Sequence, residues 1–211
     1  MPDQYLADKK LLASIAPVVP VADFVDAAHA TAVCELYGEA AVPSVEVTLR
    51  RENAWEGFAA AINTLPEAQI GVGTFVDTEQ LRQAFDMVAS FAISPGISES
   101  LVTLAQQLGI AYFPGIATAS ELMLARQLGL RAVKFFPAEA AGGINMLKSL
   151  AAPFGDMAFC PTGGINVDNY KNYLALANVS CVGGSWVIPS MERITKESDK
   201  VLSELKSVYQ S

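Results

Sequence analysis

The chain has 211 residues, of which 52% are hydrophobic and 17% are charged, so it can bury a substantial core and is not expected to be disordered. Its net charge of −8 disfavours nucleic acid as a partner, because nucleic-acid-binding proteins cluster lysine and arginine against phosphates. No apolar stretch reaches the roughly 18 residues that a membrane helix needs, so no membrane partner is expected either.

Two scarce residue types limit the chemistry and the location that we expect. The three cysteines (Cys34, Cys160 and Cys181) are odd in number and lack metal-ligand spacing. The amino terminus lacks the basic and apolar regions of a signal peptide, so we expect a reducing, cytoplasmic setting. Because His29 is the single histidine, histidine triads and multi-histidine metal sites are excluded, and no metal is predicted.

From residue 14 onward, short apolar runs alternate with amphipathic helical patterns. Eight runs are predicted strands: Ile15 to Val21, Ser44 to Leu49, Gln69 to Phe75, Ser90 to Ser94, Ala111 to Pro114, Ala132 to Phe136, Met157 to Pro161 and Ser180 to Gly183. The predicted helices between them include Thr78 to Val88, Ser98 to Leu108, Ala119 to Leu128 and Val167 to Ala177. Asp77 and Ser98 are typical helix starts, and Gly109 and Gly129 are typical helix ends.

Alternation of strand and helix predicts an α/β fold with a parallel sheet, and eight such units are the number in a closed (β/α)₈ TIM barrel. We expect one such domain over residues 1–211. Residues 1–14 would form an N-terminal helical extension, in which Asp3 to Ser14 covers one end of the barrel. A doubly wound open sheet is the alternative, but the first strand is not followed by Gly-x-Gly-x-x-Gly.

A lone lysine stands inside the sixth predicted strand, in the run from Ala132 to Pro137. Burial disfavours the charged ammonium form of Lys134, and a neutral amine is a nucleophile that forms Schiff bases with ketones. The alternative is a structural lysine that pairs with a carboxylate inside the fold or reaches water at the strand end.

The second strand supplies a possible partner for Lys134. Its alternation places Glu46 and Arg50 on one side of the sheet, together with Thr48, and apolar residues on the other. Lys134 and Phe136 also share a face of the sixth predicted strand, and if that face is inward, Lys134 shares the barrel interior with Glu46. A purely structural ion-pair network of Glu46, Arg50 and Lys134 remains an alternative.

Glycine pairs follow the last two predicted strands. Pro161 to Ile165 contains Gly163 and Gly164, and the next strand ends at Gly183, Gly184 and Ser185. Backbone N–H groups of such loops approach anions closely, and the loops after strands seven and eight are a frequent phosphate site in barrels. The pattern therefore predicts a phosphate-binding site, although glycine also makes tight turns.

At these positions the chain resembles the 2-keto-3-deoxy-6-phosphogluconate (KDPG) aldolase family of the Entner–Doudoroff pathway, whose members often also act on 4-hydroxy-2-oxoglutarate. The resemblance runs from about Pro17 to Pro189. It rests on the segments Glu46 to Arg50, Gly71 to Thr74, Phe91 to Gly96, Pro114 to Ile116, Ser120 to Met123, Val133 to Glu139, Phe159 to Gly164 and Gly183 to Trp186.

The resemblance implies a class I carbon–carbon lyase that needs no cofactor, because the substrate binds covalently to Lys134. It implies that Glu46 transfers protons and that Arg50 and Thr74 hold the pyruvate carboxylate. It further implies a pocket lined by Pro95 and Phe136. It also implies a distal phosphate site formed by Thr162, Gly163, Gly164, Gly184 and Ser185. The expected substrate is a small 2-keto acid phosphate, and the expected assembly is a homotrimer.

Two other functions fit the same pattern of residues. One is a phosphosugar isomerase, epimerase or synthase that uses the same barrel and phosphate site with acid–base chemistry only. The other is a non-catalytic barrel that binds phosphorylated metabolites. The first would attach nothing to Lys134 in the presence of borohydride and substrate. The second, in which Lys134, Glu46 and Arg50 form an inert network, predicts that Lys134→Ala loses stability more than any activity.

Overall fold

The computed structural model describes residues 10–210. Its strands are β1 (Val18–Ala22), β2 (Ser44–Thr48), β3 (Gln69–Gly73), β4 (Phe91–Ile93), β5 (Ala111–Phe113), β6 (Gly115–Ile116), β7 (Ala132–Phe135), β8 (Ala158–Pro161) and β9 (Val182–Gly184). Its helices from Ala27 onward are α1 (Ala27–Glu39), α2 (Ala54–Thr64), α3 (Thr78–Asp86), α4 (Glu99–Leu108), α5 (Ala119–Gln127), α6 (Gly143–Ala151), α7 (Tyr170–Leu174) and α8 (Met191–Tyr209). Strand and helix alternate as the sequence predicts.

All paired strands are parallel. One sheet has the order β5-β4-β3-β2-β1-β9 and a second has the order β6-β7-β8. Only Pro114 separates β5 from β6. At the other edge, parallel bridges join Phe159 to Val179 and Thr162 to Gly183. The carboxyl ends of neighbouring strands therefore lie together, and the loops that follow the strands begin at this edge of the sheets.

Two apolar clusters lie on opposite faces of the strands. The outer cluster joins the helices to outward-facing strand residues such as Val45, Val47 and Val72. The inner cluster lies on the other face and consists of Leu12, Ile15, Val19, Phe91, Ile93, Phe113, Ala132, Ala158, Cys160 and Cys181. The strands are buried on both faces, as expected of a parallel sheet covered by helices.

Of the predicted N-terminal helix, residues 10–14 are helical, and Asp3 to Lys9 lie outside the described residues. Leu12 and Ile15 belong to the inner cluster. The Ser44 hydroxyl donates to the Ile15 carbonyl over 3.0 Å. This segment therefore packs against the amino end of β2. None of the helices within residues 10–210 has the length and apolar character that a membrane crossing needs.

The helix boundaries follow the local signals. Asp77 and Ser98 accept hydrogen bonds from the third backbone N–H of α3 and α4, and Gly109 ends α4 in the left-handed region. The prediction for Val167 to Ala177 was too long, because helix α7 covers only Tyr170–Leu174. The first strand begins at Val18 instead of Ile15. The fifth predicted strand, Ala111 to Pro114, corresponds to β5 alone, and β6 lies beyond its predicted end, on the far side of Pro114, which has no N–H to donate.

Candidate active site

Glu46 and Lys134 form a buried ion pair on the inner face. Glu46 is in the middle of β2 and Lys134 is the third residue of β7. Lys134 Nζ donates to Glu46 Oε1 over 3.0 Å. Glu46 is 1% exposed and Lys134 is 4% exposed. The alternation of strands β2 and β7 therefore brings together the two residues that the sequence predicts to share the interior.

A glycine on β3 makes room for the Glu46 carboxylate. Gly71 is the direct partner of Glu46 across the β2–β3 pairing, and Gly73 is the partner of Thr48. A Cβ at Gly73 would overlap Glu46 Oε1 and Cγ. Any side chain at Gly73 would therefore displace the carboxylate that Lys134 contacts.

The pair can transfer one proton between the Lys134 amine and the Glu46 carboxylate. An ammonium beside a carboxylate and an amine beside a carboxylic acid differ only in where the proton lies along the hydrogen bond of Lys134 and Glu46. The amine form is the nucleophile that attacks a ketone. The Phe136 ring centroid lies 5.4 Å from Lys134 Nζ and flanks the amine.

A cavity of about 470 Å³ opens beside the pair, and Phe136 lines it. Its wall is formed by residues that follow strands β1, β2, β7, β8 and β9. Among the sequence-predicted residues it contains Arg50, Phe136, Thr162, Gly163, Gly164, Gly184 and Ser185. The two glycine pairs, which are separate in the sequence, therefore line one cavity.

The loop after β8 has a backbone that favours glycine. Gly163 has a φ of 101° and Gly164 a φ of 80°, a region that side-chain-bearing residues rarely adopt. The loop is held by Glu139, whose N–H donates to the Gly163 carbonyl over 3.1 Å. The Asn169 amide donates to the Gly164 carbonyl over 3.1 Å. Tyr173 in turn donates from its hydroxyl to Glu139, which fixes this side of the cavity.

Arg50 and Arg51 differ in their contacts although they are adjacent. Within residues 10–210, no carboxylate lies at ion-pair distance from Arg50, which lines the cavity. Arg51 instead forms a bidentate pair with Asp23, with distances of 2.9 Å to Oδ1 and 3.1 Å to Oδ2. The structural ion-pair network considered for Glu46, Arg50 and Lys134 is therefore reduced to the Glu46–Lys134 pair.

Thr74 and Pro95 lie at the carboxyl ends of β3 and β4, outside the lining of the cavity. Thr74 has a φ of 67°, which is strained for a β-branched residue and typical of functional loops. Its N–H donates to the Ile93 carbonyl over 3.0 Å. Ser94 bonds to the Tyr112 hydroxyl over 2.6 Å. Burial, partly offset by this hydrogen bond, raises the pKa of Tyr112 to about 12, so Tyr112 stays neutral beside Ser94.

Sequence reasoning missed two cavity residues with titratable side chains, Asp23 and His29. Asp23 lines the cavity from the loop after β1. The rule that selected residues at strand ends applies to it equally and could have found it. His29 also lines the cavity, although its position in a helix gave no such signal. Its Nε2 lies 2.8 Å from the Pro189 carbonyl, and Nδ1 accepts from the Val25 N–H over 3.3 Å.

The cysteines behave as packing residues. Cys160 and Cys181 belong to the inner cluster. Burial, with smaller contributions from Cys160 and Glu46, raises the pKa of Cys181 well above its usual value. Burial raises the pKa of Cys34 to about 12. Thiolate chemistry at Cys34 and Cys181 is therefore disfavoured. Over residues 10–210 no group of three or more His, Cys, Asp or Glu side chains is placed to hold a metal ion.

A buried lysine–carboxylate pair between the strands of a parallel α/β sheet, beside a cavity lined by glycine loops, is an arrangement that suits a Schiff-base lyase. The family model for KDPG and KHG aldolase matches residues 10–203. The KHG/KDPG aldolase of Escherichia coli K12 is 44% identical over 187 residues, which are 85% of this chain and 88% of that protein. The chain belongs to the KDPG/KHG aldolase family.

Two similar solved structures contain small molecules. The KDPG aldolase of Legionella pneumophila, with pyruvate captured as a covalent carbinolamine, has a TM-score of 0.88 and 40% identity, covering 95% of this chain and 98% of that chain. The KDPG aldolase of Zymomonas mobilis ZM4 with 3-phosphoglycerate has a TM-score of 0.87 and 35% identity, covering 96% of this chain and 95% of that chain.

Proposed function

We propose that this chain is a class I aldolase that cleaves KDPG to pyruvate and glyceraldehyde 3-phosphate, and that it also acts on 4-hydroxy-2-oxoglutarate. The observation that carries the proposal is the 3.0 Å contact between Lys134 Nζ and Glu46 Oε1 in a nearly dry environment. It supplies a nucleophile and a proton acceptor at one point, which is what Schiff-base formation needs.

The first half of the reaction forms the covalent intermediate. Glu46 takes a proton from Lys134, and the free amine attacks the C2 ketone of the substrate to give a carbinolamine. Glu46 returns the proton to the hydroxyl, which leaves as water, and an iminium remains on Lys134. The iminium draws electrons from the neighbouring bonds more strongly than the ketone did.

The second half breaks the carbon–carbon bond. Glu46 accepts the proton of the C4 hydroxyl, the C3–C4 bond breaks, and its electron pair moves into the iminium to give an enamine of pyruvate. The aldehyde leaves. Protonation of the enamine at C3 and attack of water on the resulting iminium release pyruvate and free Lys134.

Arg50 and Thr74 are proposed to hold the pyruvate carboxylate, with Pro95 and Phe136 lining the pocket. A guanidinium suits bidentate carboxylate binding, and Arg50 has no competing carboxylate among the described residues. The strained backbone of Thr74 is consistent with a constraint imposed by binding.

The distal end of the substrate is proposed to bind against Thr162, Gly163, Gly164, Gly184 and Ser185. These residues line the cavity together, and the glycine loops can turn N–H groups toward a phosphate. The 3-phosphoglycerate in the Zymomonas relative supports an acid with a distal phosphate as the ligand class. Its location in this chain is part of the proposal.

We also propose that the two sheets close into one (β/α)₈ barrel domain. Three features support this closure. Pro114 alone separates β5 from β6, Gly115 N–H donates to the Ser94 carbonyl, and Thr162 bridges to Gly183. The homotrimer and the cytoplasmic location expected from the sequence stay predictions.

The test is to incubate the protein with pyruvate and sodium borohydride and to analyse intact mass and peptides. We expect one reduced pyruvate adduct per chain, on the peptide that contains Lys134. Lys148, on the exposed side of α6, is the internal control and should stay unmodified. The Glu46→Gln variant should form the adduct more slowly, by about 10²-fold or more. Folded protein without an adduct would overturn the proposal and favour an isomerase that uses Lys134 only as a hydrogen-bond donor.

A further inference from the structure

The cavity that contains the proposed distal phosphate site is also lined by the Asp23 carboxylate, whose negative charge would repel a phosphate. Of the residues that line the cavity, the charged ones are Asp23 and Arg50. A phosphorylated 2-keto acid carries negative charge at both ends, so an unscreened Asp23 would repel it. The substrate would therefore bind more weakly unless another group neutralises the charge of Asp23.

Arg51 supplies that neutralisation. Both oxygens of Asp23 accept from the Arg51 guanidinium, Oδ1 from Nε at 2.9 Å and Oδ2 from an Nη at 3.1 Å. Arg51 itself does not line the cavity, so it acts on the site through Asp23. A bidentate pair also fixes where the carboxylate points, which a lysine ammonium would not do.

Stability does not account for this pair. The side chains of Arg51 and Asp23 are 45% and 37% exposed, and exposed ion pairs contribute little to folding. The neighbouring Arg50 remains without a carboxylate partner among the described residues. Of the two adjacent arginines, Arg50 therefore lines the cavity, and Arg51 pairs with the Asp23 carboxylate.

We propose that Arg51 is a specificity-determining residue that keeps Asp23 from repelling the distal phosphate. The inference rests on the proposed aldolase function and deepens it. The preference for a phosphorylated aldehyde then depends in part on Arg51, which lies outside the cavity lining. The Arg51–Asp23 pair sets the charge of the distal site, whereas the glycine loops set its shape.

The test compares two aldehydes that differ only in the phosphate. In the addition of pyruvate to glyceraldehyde 3-phosphate, Arg51→Ala should raise KM about three- to tenfold, the size of one charge interaction at a solvated site. With unphosphorylated glyceraldehyde, KM should stay within about twofold, because no charge is added to the aldehyde. Salt of about 0.5 M should shrink the difference, because it screens exposed charges.

The double variant separates this role from direct phosphate binding. Asp23→Asn with Arg51→Ala should restore the KM for glyceraldehyde 3-phosphate, because the repelling charge is gone. Arg51→Lys should lie between wild type and Arg51→Ala. If the double variant binds as weakly as Arg51→Ala, Arg51 contacts the phosphate itself and the proposal is wrong. Equal losses with both aldehydes would also overturn it, since they would indicate a structural role.

Pyruvate trapping by borohydride is measured on every variant. Wild-type protein that forms no adduct on Lys134 would contradict the aldolase function itself. Variants that trap pyruvate normally and show no selective loss with glyceraldehyde 3-phosphate would contradict only the role of Arg51. The two failures are therefore distinguishable.

Discussion

The inner face of the strands holds two kinds of side chain. The inner cluster is apolar and buried, whereas the Glu46–Lys134 pair is charged and just as deeply buried. Lys134 is the direct partner of Cys160, a member of the inner cluster, across the β7–β8 pairing. Burial stabilises the apolar set, but it removes two charges from water at a cost that their attraction does not reliably repay.

The inner cluster and the Glu46–Lys134 pair therefore have different roles in the protein. An apolar cluster of the same volume in place of the pair would fold at least as well. The pair is therefore explained by chemistry, and the inner cluster by stability. Substitutions in each set should separate the two quantities.

The strongest test removes Lys134. Lys134→Ala should lower kcat for KDPG cleavage by at least about 10⁴-fold, because no Schiff base forms. It should also destabilise the fold by about 3–5 kcal/mol, because Glu46 is left as an unpaired buried charge. Urea unfolding and steady-state kinetics measure the two effects.

The matched control replaces both charges with apolar groups of similar volume. Glu46→Leu combined with Lys134→Met should regain the lost stability, to within about 1 kcal/mol of wild type or above it, while activity stays absent. A double variant as unstable as Lys134→Ala would show instead that the pair supports the fold, and the division of roles would be wrong.

A smaller loss is expected from Gly73→Ala, which moves the carboxylate without removing it. The added methyl would overlap Glu46 Oε1. We expect kcat to fall about 10- to 100-fold, because displaced catalytic groups lose alignment. Stability should fall by about 1–3 kcal/mol, because the core becomes overpacked. The measurement is kcat together with the rate of pyruvate adduct formation on Lys134.

Gly38→Ala is the control for an added methyl group. Gly38 lies in α1, and its Cβ would make an ordinary contact of 3.5 Å with Leu65. Because alanine is a better helix former, this variant should gain up to about 1 kcal/mol with kcat unchanged. If Gly73→Ala behaved like Gly38→Ala, the position of Glu46 would not limit the reaction.

The sequence predicts the buried pair better than it predicts the cavity. Strand residues alternate with a fixed period of two, so Glu46 could be placed inward from the polar and apolar faces of β2. The run around Lys134 is apolar on both faces, so the pattern showed only that Lys134 shares a face with Phe136. Their meeting follows from the topology. The glycine pairs were found for the same reason, because they directly follow strands.

Contacts made by loops were not predictable in this way. The bond between His29 and the Pro189 carbonyl joins residues 160 positions apart, and no local pattern encodes it. The pairing of Arg51 with Asp23 joins residues 28 positions apart, and no local pattern distinguishes Arg51 from Arg50, which lines the cavity. The left-handed backbone of Thr74 is imposed by its surroundings, since its own side chain disfavours it.

The inner cluster provides the last prediction, in which stability changes and chemistry does not. Phe91 packs over Gly71, and its ring centroid lies 6.4 Å from that of Phe113. Phe91→Ala should cost about 3–5 kcal/mol of unfolding free energy, because it leaves a cavity. The milder Phe91→Leu keeps the fold measurable if alanine does not. At a temperature where each variant is folded, kcat should stay within about twofold of wild type, because Phe91 contacts none of the reacting groups. A loss of kcat beyond that range would mean that the inner cluster positions the Glu46–Lys134 pair, and stability and chemistry could then not be assigned to separate sets of side chains.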